Sequence, residues 1–250
     1  MIYKYPLNFA RFYDTIYHSM RDDVDNLYFQ NEIKNTCGKV LEIGVGTGRL
    51  FMNALNNGAD IYGLDISESM LNVLYGKLPP DQHYRISHQN MVDFRSEFSY
   101  DLIVSPFRVF MHLLEKEEQL IALNNVYDHL NCNGRFIFDV FVPDLKQLIH
   151  GLDNKLDFEG EYAPGKKVRR YASTKPDLIN QVIEVTFHME WDEDAGTKSD
   201  DWKVPLRFFF RYELEHLIER SRFYRYEIFG DYQGNPLDRQ SKEFLVVCHK

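Results

Sequence analysis

The chain has 250 residues, 44% of them hydrophobic and 15% aromatic, with a formal net charge of -9. That is enough apolar material for one sizeable core, so a disordered or fibrous chain is excluded. The acidic balance argues against a broad phosphate-binding face, because nucleic-acid binding needs clustered positive charge. Cys37, Cys132 and Cys248 stand far apart with no CxxC pair, a pattern that fits a reducing compartment. Neither the N-terminal "MIYKYPLNFARFYDTIYHSM" nor any later run reaches the roughly 18 apolar residues of a membrane span. A cytoplasmic protein without membrane attachment is the expectation.

Residues 8 to 34 are aromatic-rich, with Phe9, Phe12, Tyr13, Ile16 and Tyr17 at helical spacing, which predicts a helical cap over residues 1–35 that docks on the core. "KVLEIGV" reads as a strand ending in glycines, and "GRLFMNALNNG" as a helix closed by Gly58. "DIYGLDI" is the next strand, Ser67 a helix N-cap, and "ESMLNVLYGKL" a helix stopped by Pro79 and Pro80. "HYRISHQ", "YDLIVSP" and "GRFIFDVFV" supply three further strands, with the helix "EKEEQLIALNNVYDHL" and the turn "NCNG" before the last. Such alternation predicts a doubly wound, mostly parallel α/β sheet covered on both faces.

After Pro143 the pattern changes. "KKVRRYAST", "LINQVIEVTFHMEWD" and "VPLRFFFRYEL" read as strands of a small antiparallel insertion, with "EDAGTKSDD" as a polar loop. A helix around "ELEHLIERS" and the strands "RYEIFG" and "EFLVVCHK" then bring the sheet to seven strands. The predicted division is a core of residues 36–145 and 213–250, with residues 146–212 forming an inserted antiparallel β lid.

In "LEIGVGTGRL" the glycines fall at 44, 46 and 48, between a strand and a helix. Glycine there permits a sharp turn and leaves no Cβ in a ligand's way. The dinucleotide fingerprint G-x-G-x-x-G would need glycine where Arg49 stands, and no P-loop pattern is present. Glu42, before the turn, could accept a hydrogen bond from a ligand ammonium group, whereas a pyrophosphate would be repelled by it. Asp65, 17 residues after Gly48, could accept both hydroxyls of a ribose. A ligand with a cationic amino-acid end and a ribose end would satisfy both, although an ordinary tight connection uses the same glycines.

"VLEIGVGTGR", with Asp65 closing the next strand, resembles the first two motifs of class I S-adenosylmethionine-dependent methyltransferases. "HQNMVDF" is similar to their loop after the third strand, which places Asn90 and Met91 beside the adenine. "YDLIVSP" through "GRFIFDV" resembles their fourth strand, its helix and the fifth strand. "FGDYQGNPLDRQSKEFLVVCHK" is similar to the closing hairpin of a bacterial small-molecule subgroup that also carries a β insertion. "NCNG" departs from the family's Pro-Gly-Gly turn without touching the cofactor site. The resemblance implies a Rossmann-like methyltransferase fold, S-adenosylmethionine as cofactor and S-adenosylhomocysteine as product. The implied cofactor residues are Tyr13, Glu42, Gly44, Gly46, Gly48, Asp65, Ile66, Met70, Asn90, Met91, Ser105 and Phe107.

Methyl transfer from a sulfonium requires alignment, a dry site and, for some acceptors, a base. Ligands lie outside the carboxyl ends of the strands in such sheets, which puts Ser105, Pro106, Phe107 and Arg108 near the reaction. His112 is the candidate general base, with loop packing as its alternative role. Tyr17, Arg108 and Tyr212 are the candidate acceptor contacts, while Tyr13 and Tyr17, one helical turn apart, suit either a cofactor cover or simple packing. Arg11 could meet the cofactor carboxylate. Lys166, Lys167, Arg169 and Arg170 of "KKVRR" could attract an anionic substrate or protect a strand edge, and the aromatic run "RFFFRY" reads mainly as packing.

"HSM…DDVD" and the histidines at 83, 88, 112, 129, 188 and 216 match no metal-ligand spacing, and no G-x-S-x-G elbow is present, so neither a metal nor serine hydrolysis is expected. The expected protein is a methyltransferase acting on nitrogen or oxygen of a small molecule, as a monomer or homodimer, without nucleic-acid or membrane partners. A non-catalytic S-adenosylmethionine sensor or assembly protein and an RNA methyltransferase are the alternatives.

Overall fold

The computed structural model describes residues 5–20 and 23–250, so Met1–Lys4 of the expected cap and Asp22 of the acidic "DDVD" lie outside the described residues. Where one docking helix was expected, there are two, α1 (Leu7–Met20) and α2 (Val24–Lys34). Asp23 just before α2 adopts the left-handed region at φ 54°, which breaks helical continuity. The two helices also answer to different partners. Phe9, Phe12 and Ile16 of α1 join an apolar cluster with the inserted sheet, whereas Phe29 and Ile33 of α2 pack on the core.

The core begins β1 (Val40–Ile43), α3 (Phe51–Asn56), β2 (Ile61–Asp65), α4 (Glu68–Tyr75) and β3 (Ile86–His88). Ser67 caps α4 by accepting a hydrogen bond from the Met70 amide at 3.4 Å, a contact typically worth about 1 kcal/mol. β3 is shorter than "HYRISHQ" suggested because Pro80–Arg85 forms a 3-10 turn. Next come β4 (Tyr100–Ser105), α5 (Lys116–His129), β5 (Leu130–Phe141) and α6 (Leu145–His150). The "NCNG" segment falls within β5 as an irregularity, with Asn133 at φ 65°. α6 was not foreseen, although Asp144 caps it by accepting from the Lys146 and Gln147 amides at 2.8 and 3.2 Å.

The insertion is a separate sheet of four consecutive antiparallel strands, β6 (Leu152–Ala163), β7 (Lys166–Asp177), β8 (Val182–Glu193) and β9 (Gly196–Arg207). Two corrections follow. β6 was missed because it is an edge strand with only Phe158 buried, so its sequence carries almost no alternation. "GTKSDD" is strand rather than loop: β8 and β9 pair out to Glu193 opposite Gly196, around a two-residue turn. The "VPLRFFFRYEL" strand conversely stops at Arg207, and α7 (Arg211–Glu219) starts four residues later.

β10 (Arg225–Phe229) and β11 (Glu243–His249) complete the main sheet in the order β10-β11-β5-β4-β1-β2-β3. All its pairings are parallel except those of β11. One face is covered by α5 and α7 and the other by α2, α3 and α4, which makes the sheet doubly wound. The strand order reverses between β1 and β4, and a crevice forms at the carboxyl ends there. Among the described residues no helix is long and apolar enough to cross a membrane.

Candidate functional site

A cleft of about 800 Å³, partly open to solvent, occupies that crevice. Its floor is Gly44 and Gly46 with Leu64, Asp65 and Ile66, and Met70 of α4 closes one end. Gln89, Asn90 and Met91 after β3 form one wall, and Phe107, Val109, His112 and Leu113 after β4 another. Tyr5 and Tyr13 roof it from the N-terminal segment.

The glycines serve different ends. Gly44, Gly46 and Gly48 all have positive φ, at 77°, 54° and 86°, a region L side chains disfavour. A Cβ at Gly44 would stand 2.3 Å from Val109, and one at Gly48 would stand 2.5 Å from Leu74. Those two positions answer to packing. At Gly46 a Cβ would meet nothing closer than Met70 Cε at 3.4 Å, so that backbone faces the cleft.

Asp65 holds this turn in place. Its Oδ2 accepts from the Gly46 amide at 2.8 Å and its Oδ1 from the Ser67 amide at 2.8 Å. Burial raises its pKa, and those backbone donors oppose the rise. Glu42 lies directly behind the floor, 1% exposed, and its Oε2 has no hydrogen-bond partner among the described residues. Burial holds the Glu42 carboxyl well above the usual range, Asp65 raises it further and Arg49 pulls it down. A buried carboxylate oxygen without a partner is costly, and a ligand ammonium group is the counterpart it lacks. The donor set therefore fits a ligand with a cationic amino-acid end and a hydroxylated ring.

This shift sets a sign for stability. Because the folded pKa of Glu42 is raised, the free protein loses stability as pH climbs through it. Glu42→Gln is expected to raise the melting temperature of the free protein at pH 7 by about 2–4 °C per kcal/mol relieved. Near pH 4, below the ordinary glutamate pKa of about 4.3, the variant and wild type should melt alike in a pH series of thermal scans.

After β4 the backbone turns under strain, with Phe107 at φ 61° and Arg108 at φ 67°, at about 1–2 kcal/mol each for non-glycine residues. The first puts the Phe107 ring on the cleft, where Arg49 lies over it at 4.5 Å. Arg49 also pairs with Asp23 at 2.8 Å and Asp25 at 3.2 Å, so it ties the glycine turn to α2. The second carries Arg108 away from the cleft to Glu243, at 2.6 Å. His112 lines the wall and has no hydrogen-bond partner among the described residues. Burial lowers its pKa to about 4, so its imidazole is neutral at pH 7.

The roof is tethered to the floor. Asp14 of α1 accepts from the Thr47 hydroxyl at 2.7 Å and pairs with Lys77, whose ammonium also donates to the Thr47 carbonyl at 2.8 Å. The Ser69 hydroxyl donates to the Tyr5 carbonyl. Tyr5 and Tyr13 meet edge to face at 6.1 Å, and Tyr13 lies 4.4 Å from Tyr17. Burial pushes the Tyr5 phenol well up, with Tyr13 and Tyr17 adding to it.

Of the sequence-selected residues, Tyr13, Gly44, Gly46, Asp65, Ile66, Met70, Asn90, Met91, Phe107 and His112 meet at the cleft. Others lie elsewhere. Ser105 is fully buried on β4, its Oγ without a partner among the described residues. Gly48 packs on Leu74, Tyr17 stands one layer behind Tyr13, and Tyr212 is 67% exposed on α7. Phe208 and Phe209 of the aromatic run are buried in the core. Arg11 pairs with Glu193 at 2.9 Å rather than reaching the cleft. The "KKVRR" cations are committed to Asp194, Glu159 and Asp157, which removes them as a free anion attractor. Among the described residues no group of three or more His, Cys, Asp or Glu could hold a metal. Tyr5, Ile43, Leu64, Gln89, Val109 and Leu113 also line the cleft and were missed, though all but Tyr5 stand next to a residue that was selected.

Comparison with known proteins agrees with this geometry. A family profile described as a methyltransferase domain matches residues 41–136. A protein of Geobacillus sp. (strain WCH70) named as a methyltransferase is 27% identical over 251 residues, 97% of this chain and 98% of that protein. Three solved structures share the fold. An S-adenosylmethionine-dependent methyltransferase from Clostridium acetobutylicum gives a TM-score of 0.76 at 17% identity over 97% of each chain. A sugar N-methyltransferase from Streptoalloteichus sp. gives 0.75 at 16% over 95% of this chain and 92% of that one. An amino pentose methyltransferase from Micromonospora echinaspora, with S-adenosylmethionine bound, gives 0.70 at 16% over 100% of this chain and 99% of that one. The segment that the profile covers is the one that builds the floor and walls of the cleft, and the likeness in sequence runs on over nearly the whole chain. A methyltransferase domain thus spans residues 41–136, in a chain that shares the fold of S-adenosylmethionine-dependent methyltransferases over nearly its whole length.

Proposed function

We propose that this enzyme methylates nitrogen or oxygen of a small molecule, with an amino sugar as the first acceptor class to test. The observation that carries the reading is His112, a neutral imidazole on the cleft wall with no hydrogen-bond partner among the described residues. The sugar and amino pentose methyltransferases that share the fold support the acceptor class.

In this reading Asp65 accepts the ribose hydroxyls, Glu42 receives the amino group, and Gly46 lets the backbone approach the ligand. Ile66, Asn90 and Met91 flank the adenine, while Met70 and Phe107 supply apolar contact. Tyr13 and Tyr5 cover the site and exclude water. The bound cofactor supplies a methyl group on an electrophilic sulfonium. His112 accepts a hydrogen bond from the acceptor N–H or O–H and aims its lone pair in line. With a pKa of about 4, the imidazolium formed when His112 takes the acceptor's proton gives it up to solvent water at the mouth of the cleft, which restores the neutral ring. The division into a cap (1–35), a core (36–145 and 213–250) and an insertion (146–212) belongs to the same proposal, with the insertion bounding the acceptor side.

The test is release of S-adenosylhomocysteine from purified enzyme across panels of amino sugars, simple amines and hydroxylated compounds. Turnover restricted to aminated sugars supports the reading. Cofactor binding without release from any panel favours the sensor alternative, and salt-dependent RNA binding favours the RNA one. With an acceptor in hand, His112→Ala is expected to lower kcat by about a hundredfold, the low end for general-base groups, with cofactor affinity unchanged. Full turnover in that variant removes His112 from the chemistry.

A further inference from the structure

Arg170 differs from the other cations of β7. Its side chain is 4% exposed, and its guanidinium addresses three elements at once. Nε and one terminal nitrogen donate to the two carboxylate oxygens of Asp157 on β6, each at 3.0 Å. The other terminal nitrogen donates to the Tyr17 hydroxyl on α1 at 3.1 Å. The rings of Tyr17 and Phe187 lie 5.1 and 4.5 Å from its carbon. Tyr17 in turn lies against Tyr13 at 4.4 Å, and Tyr13 roofs the cleft.

Packing alone does not call for an arginine here. Phe9, Phe12 and Ile16 of α1 already bury themselves with Met189, Trp191 and Trp202 of the inserted sheet. Apolar side chains at both position 170 and position 157 would serve that interface as well, because a buried ion pair is generally no more stabilising than a well-packed apolar substitute for the pair. What the planar fork adds is direction: it fixes a carboxylate, a phenol and two ring faces relative to one another.

We propose that Arg170 is a positioning residue for cofactor binding. By bracing Tyr17, it holds Tyr13 at the roof, so that the inserted sheet and the cofactor cleft assemble as one unit. The inference rests on the placement of the cofactor in the cleft described above. No proton or group transfer involves Arg170.

The experiment compares Arg170→Met, Arg170→Lys, Tyr17→Phe and the double variant Arg170→Met/Tyr17→Phe with wild type. The readouts are S-adenosylhomocysteine affinity by calorimetry and the melting temperature of the free protein. The expected result is affinity weakened about tenfold by Arg170→Met and about threefold by Tyr17→Phe. Lysine should fail to rescue, and the double variant should be no weaker than Arg170→Met, because both changes remove one interaction. A lower melting temperature with unchanged affinity would mean a purely structural role and overturn the proposal. If Arg170→Met does not fold, Tyr17→Phe decides, and unchanged affinity there overturns it. Asp65→Ala run alongside separates the levels. Wild-type affinity in Asp65→Ala removes the cleft assignment itself, whereas weakened affinity there with no effect at positions 170 and 17 removes only the role of Arg170.

Discussion

Asp65→Ala should weaken S-adenosylhomocysteine binding by about a hundredfold in calorimetry, with the protein still folded at 25 °C. Hydrogen bonds to a charged group contribute about 1.5–3 kcal/mol each, and a factor of ten costs 1.4 kcal/mol. Losing the acceptor for two ribose hydroxyls therefore amounts to roughly 3 kcal/mol. The same substitution strips the Gly46 and Ser67 amides of their shared acceptor, so the turn that faces the ligand also loosens. Asp65→Asn separates these contributions. It keeps one acceptor oxygen and should fall between wild type and alanine, at about a tenfold loss. Affinity at the wild-type level in folded Asp65→Ala would show that the ligand sits elsewhere.

Gly46→Val is expected to abolish measurable binding by a different route. At φ 54° a β-branched side chain is strained by about 1–2 kcal/mol, which should lower the melting temperature by a few degrees in a chain of this size. The larger effect is steric. The Cβ position has only Met70 Cε at 3.4 Å and the Gly44 carbonyl oxygen at 3.9 Å within ordinary contact, so the two methyls extend into the space the ligand needs. Binding should fall by more than about a hundredfold, out of proportion to the loss of stability. A valine variant that binds normally would mean that the Gly46 backbone does not face the cofactor.

The parts of the site that were legible in sequence are those set by local backbone demands. Gly46 must be glycine because of its φ and its open front, and Asp65 ends a strand that aims it at the turn. Neither depends on distant chain. Arg108 could not be read that way: its side chain follows from two consecutive positive φ values and from Glu243, 135 residues away. Tyr212 was misplaced for a related reason, because the chain leaves the sheet at Arg207 and re-enters a helix at Arg211. In the fold, β1, β2, β4 and β5 announced themselves through apolar runs that a sheet covered on both faces requires. β6 did not, since an edge strand that buries one side chain has no pattern to show. The cations of "KKVRR" were visible as charge, but their cross-strand partners were not, and the partners decide what the charge does.

The roof has a further consequence, for the order in which the molecule is made. α1 is synthesised before the inserted sheet, yet Asn8 donates to Asp200 and Tyr17 accepts from Arg170, at separations of 192 and 153 residues. Until β7, β8 and β9 have left the ribosome, the apolar face of that helix, Phe9, Phe12 and Ile16, has no partner to bury itself against. α1 is thus older than the sheet it packs on and among the last elements to settle, as contacts of such long range imply. The cofactor cleft reaches its finished shape only after the inserted sheet exists.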